Sequence, residues 1–379
     1  MTQRPFTVVL IVPTGVGASI GGYAGDALPV AKAIAQISDR LITHPNVLNG
    51  AQLYWNLPNA FYVEGYGLDK FAAGCWGLRP VHQNRVGLIL DRSIEPELRL
   101  RHLQAADATR ATLGLNLTDY VVTDAPLNVE LRTAASGASW GTIGNPGSLL
   151  RAADVLIHQA RADAIAVVAR FPDDTGSEAL QAYRHGQGVD PLAGAEAVIS
   201  HLIVRTFQVP CAHAPALMPL PLDPDLSPRS AAEEIGYTFL PCVLVGLSRA
   251  PQFVAPSVGR SSGNISTPSS YSPAQTQNFT FPGDIWAKDV DAVVVPATAC
   301  GGSALLSFSQ SRALIIAVEE NQTSMQVPPE SLGIEAIGVH SYLEALGVLV
   351  AHRTGISADA LSPSLSSLHC LSVRGKTAS

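Results

Sequence analysis

Two glycine-rich turns are places where backbone amides could hold an anion: 12-VPTGVGASIGG-22 and 295-VPATACGG-302. Each follows a short apolar run and precedes a helical pattern. Amides gathered at a helix start favour phosphate or carboxylate, and glycine permits the close approach. The first turn offers Thr14, Gly15, Gly17, Gly21 and Gly22 as ligand-binding candidates; the second offers Gly301, Gly302 and Ser303. Neither is a standard nucleotide signature. In GVGASIGG the third glycine is out of place, and no acidic residue closes a second strand about 20 residues on. No GK[ST] follows either. The echo between the turns leaves a duplicated pair of lobes open.

Reactive side chains cluster at the same kind of place. Cys300 sits inside the second turn, where a helix N-terminus would lower its thiol pKa, so it is a candidate nucleophile; a small packing residue is the alternative. Glu319-Glu320-Asn321 ends an apolar strand. Glu319 or Glu320 could serve as a general base, or simply cap the next helix, and Asn321 could contact a ligand. His213, in PCAHAPAL, is a candidate acid/base or ligand, with a backbone-bonded structural histidine as the other reading. His201 follows Ser200, and Arg170 ends another strand. Residues 44–80 mix aromatic rings with His44, Asn46, Asn49, Glu64, Asp69 and Lys70, a composition that suits the wall of a small-ligand site. It equally suits self-packing or a dimer interface.

The elements that must position these groups are short β-branched runs alternating with helical patterns. Strands are expected at 6–12, 86–90, 120–123, 164–170, 198–204, 242–247, 291–295 and 314–318. Helices are expected at 27–41, capped by Asp26, and at 94–113, 148–160 and 341–353. Such alternation implies βαβ units and parallel sheets. The fold class expected is α/β: two lobes with mostly parallel sheets flanked by helices and Gly-rich strand-to-helix turns. The first lobe would cover 1–145, with 44–80 as an aromatic excursion. The second would cover 146–360, with a Ser/Pro-rich mobile flap at 255–285, and 361–379 would be a tail. In open parallel sheets ligands bind beyond the strand carboxyl ends, where most of these polar groups fall.

Composition narrows the classes. The 379 residues are 47% hydrophobic and 15% charged, with a net charge of -7 and no basic block, which argues against nucleic-acid binding. No apolar run reaches the roughly 18 residues of a membrane span. The five cysteines, at 75, 211, 242, 300 and 370, form no CxxC pair and no zinc spacing, pointing to a reduced, cytoplasmic compartment.

Several long strings carry a resemblance: HPNVLNGAQLYW, YVEGYGLDKF, RHLQAADATRATLG, AVVARFPDD, GAEAVISHLIV, PCAHAPAL, AAEEIGYTFLPCVLVGLSRAPQ and ACGGSALL. Together they resemble an uncharacterised, mainly cyanobacterial family classed as a domain of unknown function. The resemblance spans nearly the whole chain and implies a cytoplasmic protein of photosynthetic lineage, but no activity.

The expectation is an enzyme that acts on a small anionic metabolite by group transfer or hydrolysis, in a cleft between two α/β lobes. A phosphoribosyl-type transferase is one version. A non-catalytic sensor or assembly partner is the alternative, and a metal enzyme using Asp91, Asp124 and Asp173 is a further one. The partner expected is a small-molecule ligand, with no nucleic acid and no membrane; self-association and any cofactor or metal stay open.

Overall fold

The computed structural model describes residues 4–50, 57–173, 176–234, 238–256 and 281–369. Tyr54, Trp55, Asp174, Cys370 and residues 257–280 of the expected flap lie outside these. The strands, in chain order, begin with β1 (Thr7–Leu10), β2 (Arg40–Thr43), β3 (Ala60–Tyr62), β4 (Gly77–Arg79) and β5 (Val86–Leu90). Then come β6 (Leu117–Val122), β7 (Val129–Thr133), β8 (Ser139–Ile143), β9 (Ala164–Arg170) and β10 (Cys211–Ala216). The last are β11 (Gln252–Val254), β12 (Ala292–Pro296), β13 (Leu314–Val318) and β14 (Ile337–Val339). The helices are α1 (Leu28–Ile37), α2 (Pro45–Leu48), α3 (Gly65–Ala72), α4 (Pro96–Leu113), α5 (Pro146–His158) and α6 (Glu178–Arg184). They continue with α7 (Ala193–Phe207), α8 (Ala231–Glu234), α9 (Leu240–Ser248), α10 (Ser303–Phe308) and α11 (Tyr342–Thr354).

Six strands form one parallel sheet in the order β14-β13-β12-β1-β2-β3. Four form a second parallel sheet, β10-β9-β5-β6. Two antiparallel ribbons, β4 with β11 and β7 with β8, complete the set. The chain is thus a mixed α/β protein with parallel sheets flanked by helices.

The strands read as unbroken apolar runs because both faces of each sheet are covered. Side chains alternate between faces. Val8 and Leu10 point into one core, whereas Val9 points into another with Phe71 and Phe308 from α3 and α10. In the second sheet Leu88 and Leu90 join the core of Val8 and Leu10, while Ile89 meets Leu149 and Ile199 from α5 and α7. One core therefore runs between the sheets, bridged by α9, which packs on β5, β9 and β10 and touches α2.

The two sheets are not consecutive along the chain. A division at residue 145 does not separate them, because β5 and β6 lie in one sheet with β9 and β10. The six-stranded sheet takes three strands from before this block and three from after it. The chain leaves and returns along segments that pair with each other as β4 and β11, with Phe253 opposite Leu78.

Three expected elements differ. The runs 198–204 and 242–247 are helices, α7 and α9, rather than strands. Helix α9 is covered on most sides and apolar nearly all round, and in 198–204 only Ser200 and His201 interrupt the apolar residues, so neither run shows a period that separates helix from strand. The helix expected over 27–41 ends at Ile37, and Leu41 opens β2. Its expected cap, Asp26, instead accepts the Gly21 amide at 2.6 Å. The aromatic excursion is part of the sheet: among its described residues it contributes α2, β3, α3 and β4.

Candidate functional site

A cavity of about 310 Å³ opens where the carboxyl ends of β1, β2, β3 and β12 meet β10 and the first turns of α7. In the six-stranded sheet the strand order reverses between β1 and β12, and the segments after both strands line the cavity through Thr14, Gly302 and Ser303. A reversal of this kind leaves a crevice at the strand ends, the usual seat of ligands in open α/β sheets.

On the β3 side, Glu64 caps α3. Its Oε2 accepts the amides of Tyr66 at 2.9 Å and Gly67 at 3.2 Å. Its Oε1 makes an ion pair with Nδ1 of His201, at the start of the third turn of α7. Gly65 makes this approach feasible, since a Cβ there would lie 3.2 Å from the His201 ring. Burial alone would lower the His201 imidazole, but Glu64 and then Asp69 carry it above its ordinary value. The adjacent His44 accepts the Val12 amide at 2.9 Å through Nε2, which places its proton on Nδ1. Burial pushes His44 down to about 4, so the ring is neutral.

On the β10 side, His213 Nδ1 lies 3.2 Å from Ser200 Oγ, and its Nε2 lies 3.6 Å from Glu196 Oε2. Glu196 and Ser200 are four residues apart on α7 and so share a face. Around them lie more carboxylates. Asp190 accepts the Leu192 amide at 2.8 Å, and burial followed by repulsion from Glu196 and Glu233 raises it well above the carboxylate range. Glu233 accepts the Ala24 amide at 2.6 Å and the Tyr183 hydroxyl at 2.5 Å; burial pushes it up to about 7. Asp69 is raised by burial as well.

The cavity brings together ten of the residues expected from the sequence: Thr14, His44, Asn46, Asn49, Glu64, Asp69, His201, His213, Gly302 and Ser303. The others lie elsewhere. Cys300 is buried at 0% exposure with Sγ directed to the Ala297 carbonyl at 3.5 Å, and burial pushes its thiol up to about 11. That is the opposite of an activated nucleophile, and Cys300 is a packing residue between β12 and α10. Glu319 is exposed beside His340, and Glu320 accepts the Tyr342 amide at the start of α11. Asn321 is fully buried and holds the first glycine turn: Oδ1 accepts from the Ile20 amide at 3.0 Å, and Nδ2 donates to the Ile20 carbonyl and Tyr342 hydroxyl, both at 2.8 Å. Arg170 is locked between Asp173 and Glu95. Gly301 packs towards Val327.

From Ser19 onward the first turn is largely committed to the protein. The amides of Ser19, Ile20, Gly21, Ala24, Gly25 and Asp26 all have protein acceptors, two of them the carboxylates of Asp26 and Glu233. The carbonyls of Gly15 and Gly22 accept from the Ser139 amide and the Tyr183 hydroxyl, and Gly17 abuts Gly188. Gly21 has φ +91°, and a Cβ there would lie 2.4 Å from Val12. Its glycine is required by packing, independently of any ligand. Helix α1 begins only at Leu28. The strand-end carboxylates are similarly taken: Asp91 accepts the Leu127 and Arg170 amides, Asp124 pairs with Arg151, and Asp173 with Arg170. Among the described residues no group of three or more His, Cys, Asp and Glu side chains is arranged to hold a metal ion.

Sequence reasoning missed Asp190, Glu196 and Glu233. Read as a helix, 193–207 would have put Glu196, Ser200 and His201 on neighbouring positions of one side. Asp190 and Glu233 lie in a helix-linking loop and a four-residue helix, where no local pattern marks them.

No helix among the described residues is long and apolar enough to cross a membrane. No solved structure matches the chain. An uncharacterized lipoprotein of Synechococcus sp. is 59% identical over 363 residues, which cover 96% of this chain and 95% of the relative. That relative overturns the expectation of a cytoplasmic protein: scattered cysteines and the lack of a long apolar run report on disulfides and spanning helices, not on lipid attachment. The family model described as "Protein of unknown function (DUF3326)" matches residues 7–362, and the chain belongs to that family.

Proposed function

We propose that this chain is an enzyme that acts on a small metabolite by group transfer or hydrolysis in the cleft between its two parallel sheets. The observation that carries the reading is the sequence of contacts Ser200–His213–Glu196 within the cavity. A hydroxyl beside an imidazole, with a carboxylate at the far ring nitrogen, is the arrangement that activates a serine. Ser200 Oγ attacks an electrophilic carbon or phosphorus, and its proton passes to His213 Nδ1. Glu196 stabilises the imidazolium. His213 returns the proton to the leaving group as its bond breaks; it then takes a proton from water or an acceptor, which attacks the bound fragment, and hands it back to Ser200 as the fragment is released. The Glu64–His201 pair, next along α7, supplies a second proton donor.

The part of the expectation that concerned an anion has no support in the lining. Among the described residues that line the cavity there is no lysine or arginine, and the glycine-turn amides from Ser19 onward that have acceptors find them within the protein.

The test is turnover in a metabolite extract followed by mass spectrometry. The wild-type protein should deplete a compound that Ser200→Ala and His213→Gln deplete at least about 100-fold more slowly. Depletion that continues undiminished in both variants would remove the assignment.

A further inference from the structure

Five carboxylates line the cavity: Glu64, Asp69, Asp190, Glu196 and Glu233. The imidazoles do not balance them. His44 is neutral, His201 is already matched to Glu64, and His213 faces Glu196 alone at 3.6 Å, which leaves Asp69, Asp190 and Glu233 with no imidazole ion-paired to them. Arg229 lies behind the wall on Asp26, at 3.3 Å, and does not line the cavity. Most of the remaining surface is apolar, from Ile11, Leu68, Leu192 and Phe239.

A second observation is independent of the acids. His44 is only 9% exposed, and its ring lines the cavity. With Nε2 filled by the Val12 amide, the Nδ1–H has no partner among the described residues. A neutral donor that the protein itself does not match, on a residue lining the cavity, is a place for an acceptor oxygen of the ligand.

From these two features we infer that the ligand of this cleft is an organic cation, an amine or guanidine on a compact apolar body that also carries an acceptor oxygen. The cationic group lies among Asp190, Glu196 and Glu233, and the oxygen accepts from His44. The inference rests on reading the cleft as the ligand site. It names an organic cation rather than a metal ion because the carboxylates do not converge on one point. Repulsion among buried acids supports the same placement. After burial, Glu196 and Glu233 raise Asp190 and Glu196 raises Glu233, and a positive charge among the three relieves the cost of ionising them.

Charge-matched probes test this with the full chain at neutral pH. One set is 4-aminobutanol, 1,4-butanediol and 4-hydroxybutanoate; another is tyramine, 4-(2-hydroxyethyl)phenol and 4-hydroxyphenylacetate. Saturation-transfer NMR at millimolar probe reads binding. Each amine should bind at least about tenfold more tightly than its neutral and anionic counterparts, as expected when one ion pair decides the preference. Glu196→Gln and Glu233→Gln should each erase most of that preference. The ranking on the wild-type protein stands whether or not these variants fold. Ala197→Trp, which fills the cavity, should abolish binding. Acids that bind as tightly as the amines, and lose binding in Ala197→Trp, would overturn the cationic ligand while leaving the cleft as the site. Binding that survives Ala197→Trp, or no binding by any of the six, would overturn both.

Discussion

Cys75 and Cys300 are both free thiols, yet their surroundings are opposite. Cys75 is exposed after α3, whereas Cys300 is sealed between β12 and α10 with its pKa pushed up by burial. A buried protonated thiol neither meets a reagent nor supplies a thiolate. Iodoacetamide at pH 8 should therefore alkylate Cys75 in the native protein and leave Cys211, Cys242 and Cys300 untouched until the chain is unfolded. Site-resolved peptide mass spectrometry reads the outcome, and rapid native labelling of Cys300 would refute the packing role. The sequence placed Cys300 correctly, at a strand-to-helix turn, but could not show which way it faced. Much of the site shares this limit. His213, Glu64 and His201 were legible as residue types, but only Glu64 stands at the end of an element, since His201 lies within α7 and His213 within β10. Ser200 and Glu196, the neighbours of His213, became meaningful only once α7 had a direction.

The elements around the first glycine turn explain why a turn that resembles an anion cradle works as a structural joint. Asn321, between β13 and α11, holds both backbone groups of Ile20 and the hydroxyl of Tyr342. Ser19 and Ser324 add backbone bonds to the same seam. Asn321→Ala would leave buried polar groups without partners, and it should cost about 3 kcal/mol of stability. Urea denaturation measures this; a loss under about 0.5 kcal/mol would mean that the turn is held otherwise. The longer elements were readable from sequence for clear physical reasons. Helix α4 begins with Pro96 and stops at Gly114 with φ +67°, as its sequence signals require. Helices α7 and α9 were not readable, because runs as apolar as VISHLIV and CVLVGL carry too few polar residues to show a period. Strands β2, β3 and β14, of three or four residues, are too short to show one.

Across the whole molecule, Glu233 ties the two halves of the cleft together, since it accepts from Ala24 after β1 and from Tyr183 on α6. Its carboxyl is raised from the ordinary 4.5 to about 7 by burial. A raised folded value means that the native state holds the proton more tightly than the unfolded chain. The stability this confers is fully present below about 4.5 and is lost as pH rises through about 7. Wild-type melting temperature should therefore fall between pH 5 and pH 8 more steeply than that of Glu233→Gln, which keeps an acceptor but cannot ionise; parallel curves would contradict the raised value. The nesting of the sheets has a further effect, on the order of assembly during synthesis. Val8 pairs with Leu41 on one side but with Ala292 on the other. The six-stranded sheet cannot close around its central strand until more than three-quarters of the chain has left the ribosome. All four strands of the inner sheet, from Val86 to Ala216, emerge well before that. Loop-closure entropy over so long a separation makes the last pairing slow. The nascent chain thus carries β1, apolar and unpaired along one edge, through most of its translation, and that interval is when this protein is most exposed to aggregation and most in need of a chaperone.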